Sequence, residues 1–227
     1  MTLTNKTLLS CLALTVALPV LTLGSDALAD EPCDPEIELV DTKPADMDDW
    51  WQWAAGAEIS INPVLDPTGE HCAVDQGGGS WYLAGTFGGE AERSCTMPAH
   101  TRLTFPLVNA LFFNAPGENY SVEEMYTALD GFMGSACDLY LLVDGEPVTD
   151  DLAKLRLTTE RPFDLDLPAD NVFGVPAGTY GPSVADGYYA TLEGLPPGSY
   201  ELEFGGAVCD GDQVLFSTAV SYELTVE

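Results

Sequence analysis

Cationic side chains are nearly absent from this chain. Of its 227 residues, three are lysines (Lys6, Lys43 and Lys154). Lysine and arginine together number 7 against 37 aspartates and glutamates, a formal net charge of −30. A nucleic-acid partner calls for a basic face, so this scarcity excludes that class. Histidines number two, His71 and His100, and no C-x-x-C spacing or paired-histidine pattern points to zinc. There is no Gly-x-Ser-x-Gly elbow, and no serine has a recognisable base partner, so nucleophilic catalysis has little sequence support. Neither a P-loop nor a strand–GxGxxG–helix fingerprint occurs, which removes the usual phosphate cradles. Internal repeats and low-complexity linkers are also missing.

The one long apolar run lies at the start. Leu8 to Leu23 is almost uninterrupted, Lys6 precedes it, and Ala27-Leu28-Ala29 forms a small-residue cleavage box. Residues 1–29 are therefore predicted to be a secretory signal peptide, with Asp30 as the mature N-terminus. The run is short for a membrane anchor. Leu8-Leu9-Ser10-Cys11 matches a lipoprotein box in composition, but the apolar run follows that cysteine instead of preceding it. Residues 30–227 are expected to form a single secreted domain, extracellular or periplasmic, without a membrane span. Loss of Lys6 and Asp26 leaves the charge at −30. Export permits disulfides. Cys72 and Cys95 flank a glycine-rich segment and a strand and are expected to pair; Cys137 with Cys209 is the second expected bridge, which leaves Cys33 without a partner.

Period-two alternation dominates the rest of the chain, the mark of half-buried strands. Val214, Phe216, Val220, Tyr222, Leu224 and Val226 share one face of the last segment, with Ser217, Ser221, Glu223 and Glu227 opposite. Tyr200, Leu202, Phe204 and Val208 repeat the pattern, and Cys209-Asp210-Gly211-Asp212 reads as the hairpin turn between the two. Further strands are predicted at Ile37–Leu39, Trp81–Phe87, Leu103–Phe113, Leu139–Val143, Phe163–Leu167 and Tyr188–Leu192. Eight or nine strands with Gly- and Pro-rich turns predict a mainly β fold, an antiparallel β-sandwich that could be jelly-roll-like, with two short helices. One helix is expected from about Asp46 to Ala57 with Asp46 as N-cap. The other opens on the capping box Ser121-Val122-Glu123-Glu124 and carries Met125, Leu129 and Met133 at helical spacing. Glu36, Glu38, Asp164, Asp166, Glu201, Glu203 and Glu223 fall on the polar positions of strands, so the acidity coats outer sheet faces and suits a saline medium.

The densest cluster of chemistry-bearing residues spans Trp50 to Pro98. It comprises Trp50-Trp51-Gln52-Trp53, then Asn62-Pro63-Val64-Leu65-Asp66-Pro67-Thr68-Gly69-Glu70-His71-Cys72, Gln76 with three glycines, Trp81-Tyr82-Leu83-Ala84-Gly85-Thr86, and Arg93-Ser94-Cys95. Phe105-Pro106-Leu107-Val108-Asn109, Asp170-Asn171-Val172-Phe173-Gly174 and Pro197-Gly198 follow. This order resembles a family of uncharacterised exported bacterial and fungal proteins. The resemblance implies a secreted, disulfide-linked domain and brings no catalytic residues with it.

Within that cluster, Trp50 and Trp53 are spaced to share a core-facing helix face, whereas Trp51 is expected to point outward as a stacking platform. Asn62, Asp66, Gln76, Trp81, Arg93 and Asn109 complete a candidate ligand-binding set. Asp66, Glu70 and Asp75 are candidate oxygen ligands for calcium, although their spacing fits no EF-hand loop. Arg93 and Arg102 read as ion-pair partners or as holders of a ligand carboxylate. The functional expectation is a non-catalytic binding or envelope-associated module for a glycan or another exported protein. The alternatives are an extracellular polysaccharide hydrolase using paired carboxylates and a calcium-stabilised structural domain.

Overall fold

The computed structural model describes residues 37–227 apart from Gly78; the expected signal peptide, residues 1–29, and Cys33 lie outside the described residues. Two sheets face one another, so the predicted sandwich is the architecture found. The first contains β1 (Glu38–Val40), β2 (Ser80–Tyr82), β4 (Arg102–Phe113), β7 (Arg156–Thr158), β8 (Phe163–Leu167) and β9 (Gly178–Glu193). The second contains β3 (Gly89–Met97), β5 (Ala136–Val143), β6 (Glu146–Pro147), β10 (Gly198–Asp210) and β11 (Gln213–Val226), in the order β3-β11-β10-β5-β6. The pairing is not wholly antiparallel as expected, because β2 runs parallel to β4 and β3 parallel to β11.

The spine of the first sheet is β9. One of its edges pairs with β4 from Ser183 to Leu192, and β8, β7 and β1 lie end to end along the other. It runs far beyond the predicted Tyr188–Leu192 because its second half is buried on both faces, which erases the polar half of the alternation. Its even-numbered residues Tyr188, Ala190 and Leu192 join Leu103, Phe105 and Leu107 of β4 against Leu202, Phe204, Val220, Tyr222 and Leu224 of the second sheet. Phe105 and Phe204 meet across this core with ring centroids 4.5 Å apart.

The strand β3 escapes a reading by hydrophobic alternation because an arginine occupies one of its inward positions. Ala91, Arg93, Cys95 and Met97 alternate with Glu92, Ser94 and Thr96, and Arg93, Cys95 and Met97 are buried. Conversely, the predicted Trp81–Phe87 strand stops at Tyr82, and the chain turns outward by Phe87.

Helix α1 (Pro44–Gly56) covers the face of the first sheet turned away from the sandwich core. It begins earlier than expected. Lys43 is the N-cap and Pro44 occupies the first turn, where a missing N–H does no harm. Asp46 is therefore not the cap; it sits in the first turn and its carboxylate accepts the Lys43 N–H at 3.0 Å. Met47, Trp50, Trp51 and Ala54 follow an i, i+3, i+4, i+7 stripe that packs on Ala185 and Tyr189. Helix α2 (Val122–Met133) opens on the predicted capping box, Ser121 Oγ accepting from Glu124 N and the Glu124 carboxylate from Ser121 N. It lays Met125, Leu129 and Met133 inward, with Met125 and Leu129 packing beside Val184 of β9.

Both expected disulfides are present: Cys72–Cys95 ties the loop before β2 to β3, and Cys137–Cys209 ties β5 to β10. No helix among the described residues is long and apolar enough to cross a membrane.

Candidate functional site

Three buried polar residues shape the loops at one end of the molecule. Asn62, 1 % exposed, follows α1 and donates its amide N–H groups to the carbonyls of Ala54 and Ala57, while its Oδ1 accepts the Val64 N–H at 2.9 Å. Asn171, also 1 % exposed, does the same between β8 and β9. It donates to Pro168 O and Val175 O and accepts from Phe173 N at 3.1 Å.

Arg93 binds two further segments together from β3. Its Nε reaches Asp66 O at 2.7 Å, one terminal nitrogen reaches Ala84 O, Gly85 O and the Tyr222 hydroxyl, and the other reaches Val64 O at 3.1 Å. The guanidinium also lies 5.6 Å from the centre of the Tyr222 ring. A buried charge must have partners. Here no carboxylate among the described residues pairs with Arg93, and inward-turned carbonyls solvate the cation instead.

Asp66 completes this frame. Its carboxylate accepts the Thr68 N–H and hydroxyl and the His71 N–H, all at 2.8 Å. Burial alone would raise its pKa, but these hydrogen bonds outweigh burial and hold it below the usual carboxylate value. Gly69 has φ +89°, and a Cβ there would collide with the Ser94 carbonyl, so the loop lies directly on β3.

Beside Asp66, Glu70 and Asp170, long parts of the segments held this way carry no charge. Ile59–Leu65, Trp81–Gly89, Leu103–Gly117 and Asn171–Ala185 are uncharged stretches of a chain with net charge −30. The fold brings parts of all four together. Ile59 N donates to Asp170 O; Phe87 packs edge-on against Phe173, and Phe173 against Phe113. Phe113 in turn meets Tyr180 at 5.2 Å. Ile59, Ile61, Leu65 and Phe87 stand out from this end with 39–49 % of their surface exposed. The result is an apolar, aromatic-backed surface framed by Asn62, Arg93 and Asn171.

The remaining predicted residues separate. Trp51 is 5 % exposed, with Trp50 at 2 % and Trp53 at 7 %, so it is not a surface platform; Met47, one turn earlier, puts it on the buried stripe. Its Nε1 lies beside the buried Tyr189 hydroxyl without a hydrogen bond of good geometry. Asn109 donates to that hydroxyl at 2.8 Å and sits over Gly187, where a Cβ would come within 2.6 Å of the Asn109 Cβ.

Gln76 acts as a short substitute strand along β2, donating to Cys72 O and Tyr82 O and accepting Tyr82 N at 2.8 Å. Beside it a shallow groove of about 390 Å³ is lined by Asp49, Gln52, Trp53, Asp75, Gly77 and Tyr82. Trp81, half-buried, lines a neighbouring depression with His100 and Arg102. Arg102 is ion-paired with Glu193 at 2.8 Å and Asp46 at 3.5 Å.

Asp66, Glu70 and Asp75 are not gathered into one ligand set. Among the described residues the single grouping of metal-type side chains is Cys137, Asp138 and Cys209, and its two sulfurs are joined to each other. The strand expected over Trp81–Phe87 hides the exposure of Phe87. The trace that the apolar end leaves in the sequence is the lack of charge in four separate stretches. No family model, curated protein or solved structure matches this chain.

Proposed function

We propose that the protein is an exported, non-catalytic binding module that engages another exported protein through its uncharged end. The observation that carries this reading is the convergence of Ile59, Ile61, Leu65 and Phe87 on a molecule otherwise coated with carboxylates. Exposed apolar clusters of this kind mark interaction surfaces. Two disulfides support an oxidising compartment. The polar atoms of Asn62, Asp66, Gln76 and Arg93 are engaged by the chain itself, which supports a framing role for them over a chemical one. A protein partner is favoured over a glycan because the three indoles of α1 lie inside the molecule.

The test places a photo-crosslinking side chain at Phe87 and, separately, at Glu203 on the acidic sheet. The protein is then exposed to the exported proteins of its source in molar salt. Defined adducts from position 87 and none from position 203 are expected, and Phe87→Asp should abolish competition by unlabelled protein. Equal labelling from both positions, or none from either, contradicts the reading.

A further inference from the structure

A second site lies on the opposite flank of α1 and does not depend on the apolar end. Asp48 faces the segment after β7, where Glu160, Arg161 and Pro162 lead into Phe163. Between them is a cavity of about 430 Å³, walled by Pro44, Ala45, Pro162 and Phe163 and bearing Asp48, Glu160 and Arg161.

Glu160 and Arg161 are exposed at the rim of this cavity, and Asp48 lies deeper, half-buried. The hydrogen bond that Asp48 receives is a long one, 3.4 Å from Thr159 Oγ1. That hydroxyl has one proton and also lies 3.2 Å from Ala185 O, so it serves Asp48 only in part. Burial, reinforced by Asp49 and Glu160, raises the Asp48 pKa to about 6. Among the described residues the ion pairs use Arg102, Lys154 and Arg156; neither Glu160 nor Arg161 takes part in one. Arg161 thus shares a cavity with two carboxylates and, among the described residues, forms an ion pair with none.

The dimensions and walls select the ligand class. The oxygens of Asp48, Asp49 and Glu160 do not converge into a metal-type set, whereas calcium takes 6–8 close oxygens. A volume of about 430 Å³ falls in the range of small-molecule sites, and the proline and phenylalanine walls suit a carbon skeleton. We infer that this cavity binds a small organic zwitterion, its ammonium group against Asp48 and Glu160 and its carboxylate on Arg161. Such a ligand supplies each unpaired charge with an opposite one.

The test is an NMR titration of the intact secreted domain at neutral pH with 4-aminobutyrate, butylammonium and butyrate, which share a carbon chain and differ in charged ends. Saturable shifts at Asp48 and Glu160–Phe163 are expected at millimolar 4-aminobutyrate, with weaker binding of the other two. Asp48→Asn should weaken 4-aminobutyrate by about tenfold or more, the worth of one charge-assisted contact. Arg161→Gln should erase the preference for 4-aminobutyrate over butylammonium. Asp48→Asn is expected to keep the fold, so lost binding would not reflect unfolding; retained amide dispersion checks this. No saturable shift, equal binding of butylammonium by the unsubstituted protein, or undiminished binding by Asp48→Asn would each overturn the inference.

Discussion

Arg93 shows how one side chain can organise a region without touching a ligand. Its N–H groups are shared among four backbone carbonyls and the Tyr222 hydroxyl, with 4 % of the residue exposed. Lysine has three donors and no planar fork, so Arg93→Lys leaves buried carbonyls without partners. Each such loss costs about 1–3 kcal/mol, and the variant should lose at least that much in urea unfolding. Unchanged stability would contradict the clamp.

Asp48 carries the opposite kind of strain. Its folded pKa, about 6, lies above the ordinary carboxylate value of 3.8. Between those values the folded chain holds a proton that the unfolded chain has released, so Asp48 makes stability fall as pH rises through that window. Above it the penalty is present in full. Asp48→Asn should therefore melt above the unsubstituted protein at neutral pH and converge with it near pH 3.8. A melting difference independent of pH contradicts this assignment.

At the scale of elements, the second sheet sets like charges against one another. Glu201 of β10 stands directly opposite Glu223 of β11, and Glu92 and Glu203 flank Ser221 in the adjoining row. Carboxylates facing across an antiparallel pair repel. Glu223→Lys should raise the melting temperature at low ionic strength, and the gain should shrink in molar salt. A gain that persists undiminished would point to packing instead of charge.

Elements also differ in how openly their residues announce them. The capping box of α2 is legible because Ser121 and Glu124 satisfy a local rule within four residues. The start of α1 misleads because Asp46 looks like a cap, whereas its carboxylate reaches back to Lys43. β3 is masked by the inward guanidinium, which no alternation of apolar residues can reveal.

At the scale of the molecule, net charge sets the conditions under which the fold persists. The described ion pairs engage Asp46, Asp130, Asp151, Asp186 and Glu193, which leaves most of the 37 acids to repel one another. Screening shortens the reach of that repulsion from about 10 Å at 0.1 M to about 3 Å at 1 M salt. The melting temperature should rise steadily over this range; a flat response would count against electrostatic destabilisation.

The amino-acid sequence alone determined the β-rich class, the two helices and the placement of acids on strand faces, all of which rest on local periodicity and capping. A cysteine inventory does not fix connectivity; the fold joined Cys72 to Cys95 and Cys137 to Cys209. Tertiary structure alone decided which polar residues frame loops, why Trp51 is buried, and that four uncharged stretches meet at one end. It also decided that Asp48 and Arg161, 113 positions apart, share a cavity. These depend on which distant segments become neighbours, and a carbonyl turned toward an arginine leaves no trace in the identity of the residue that bears it.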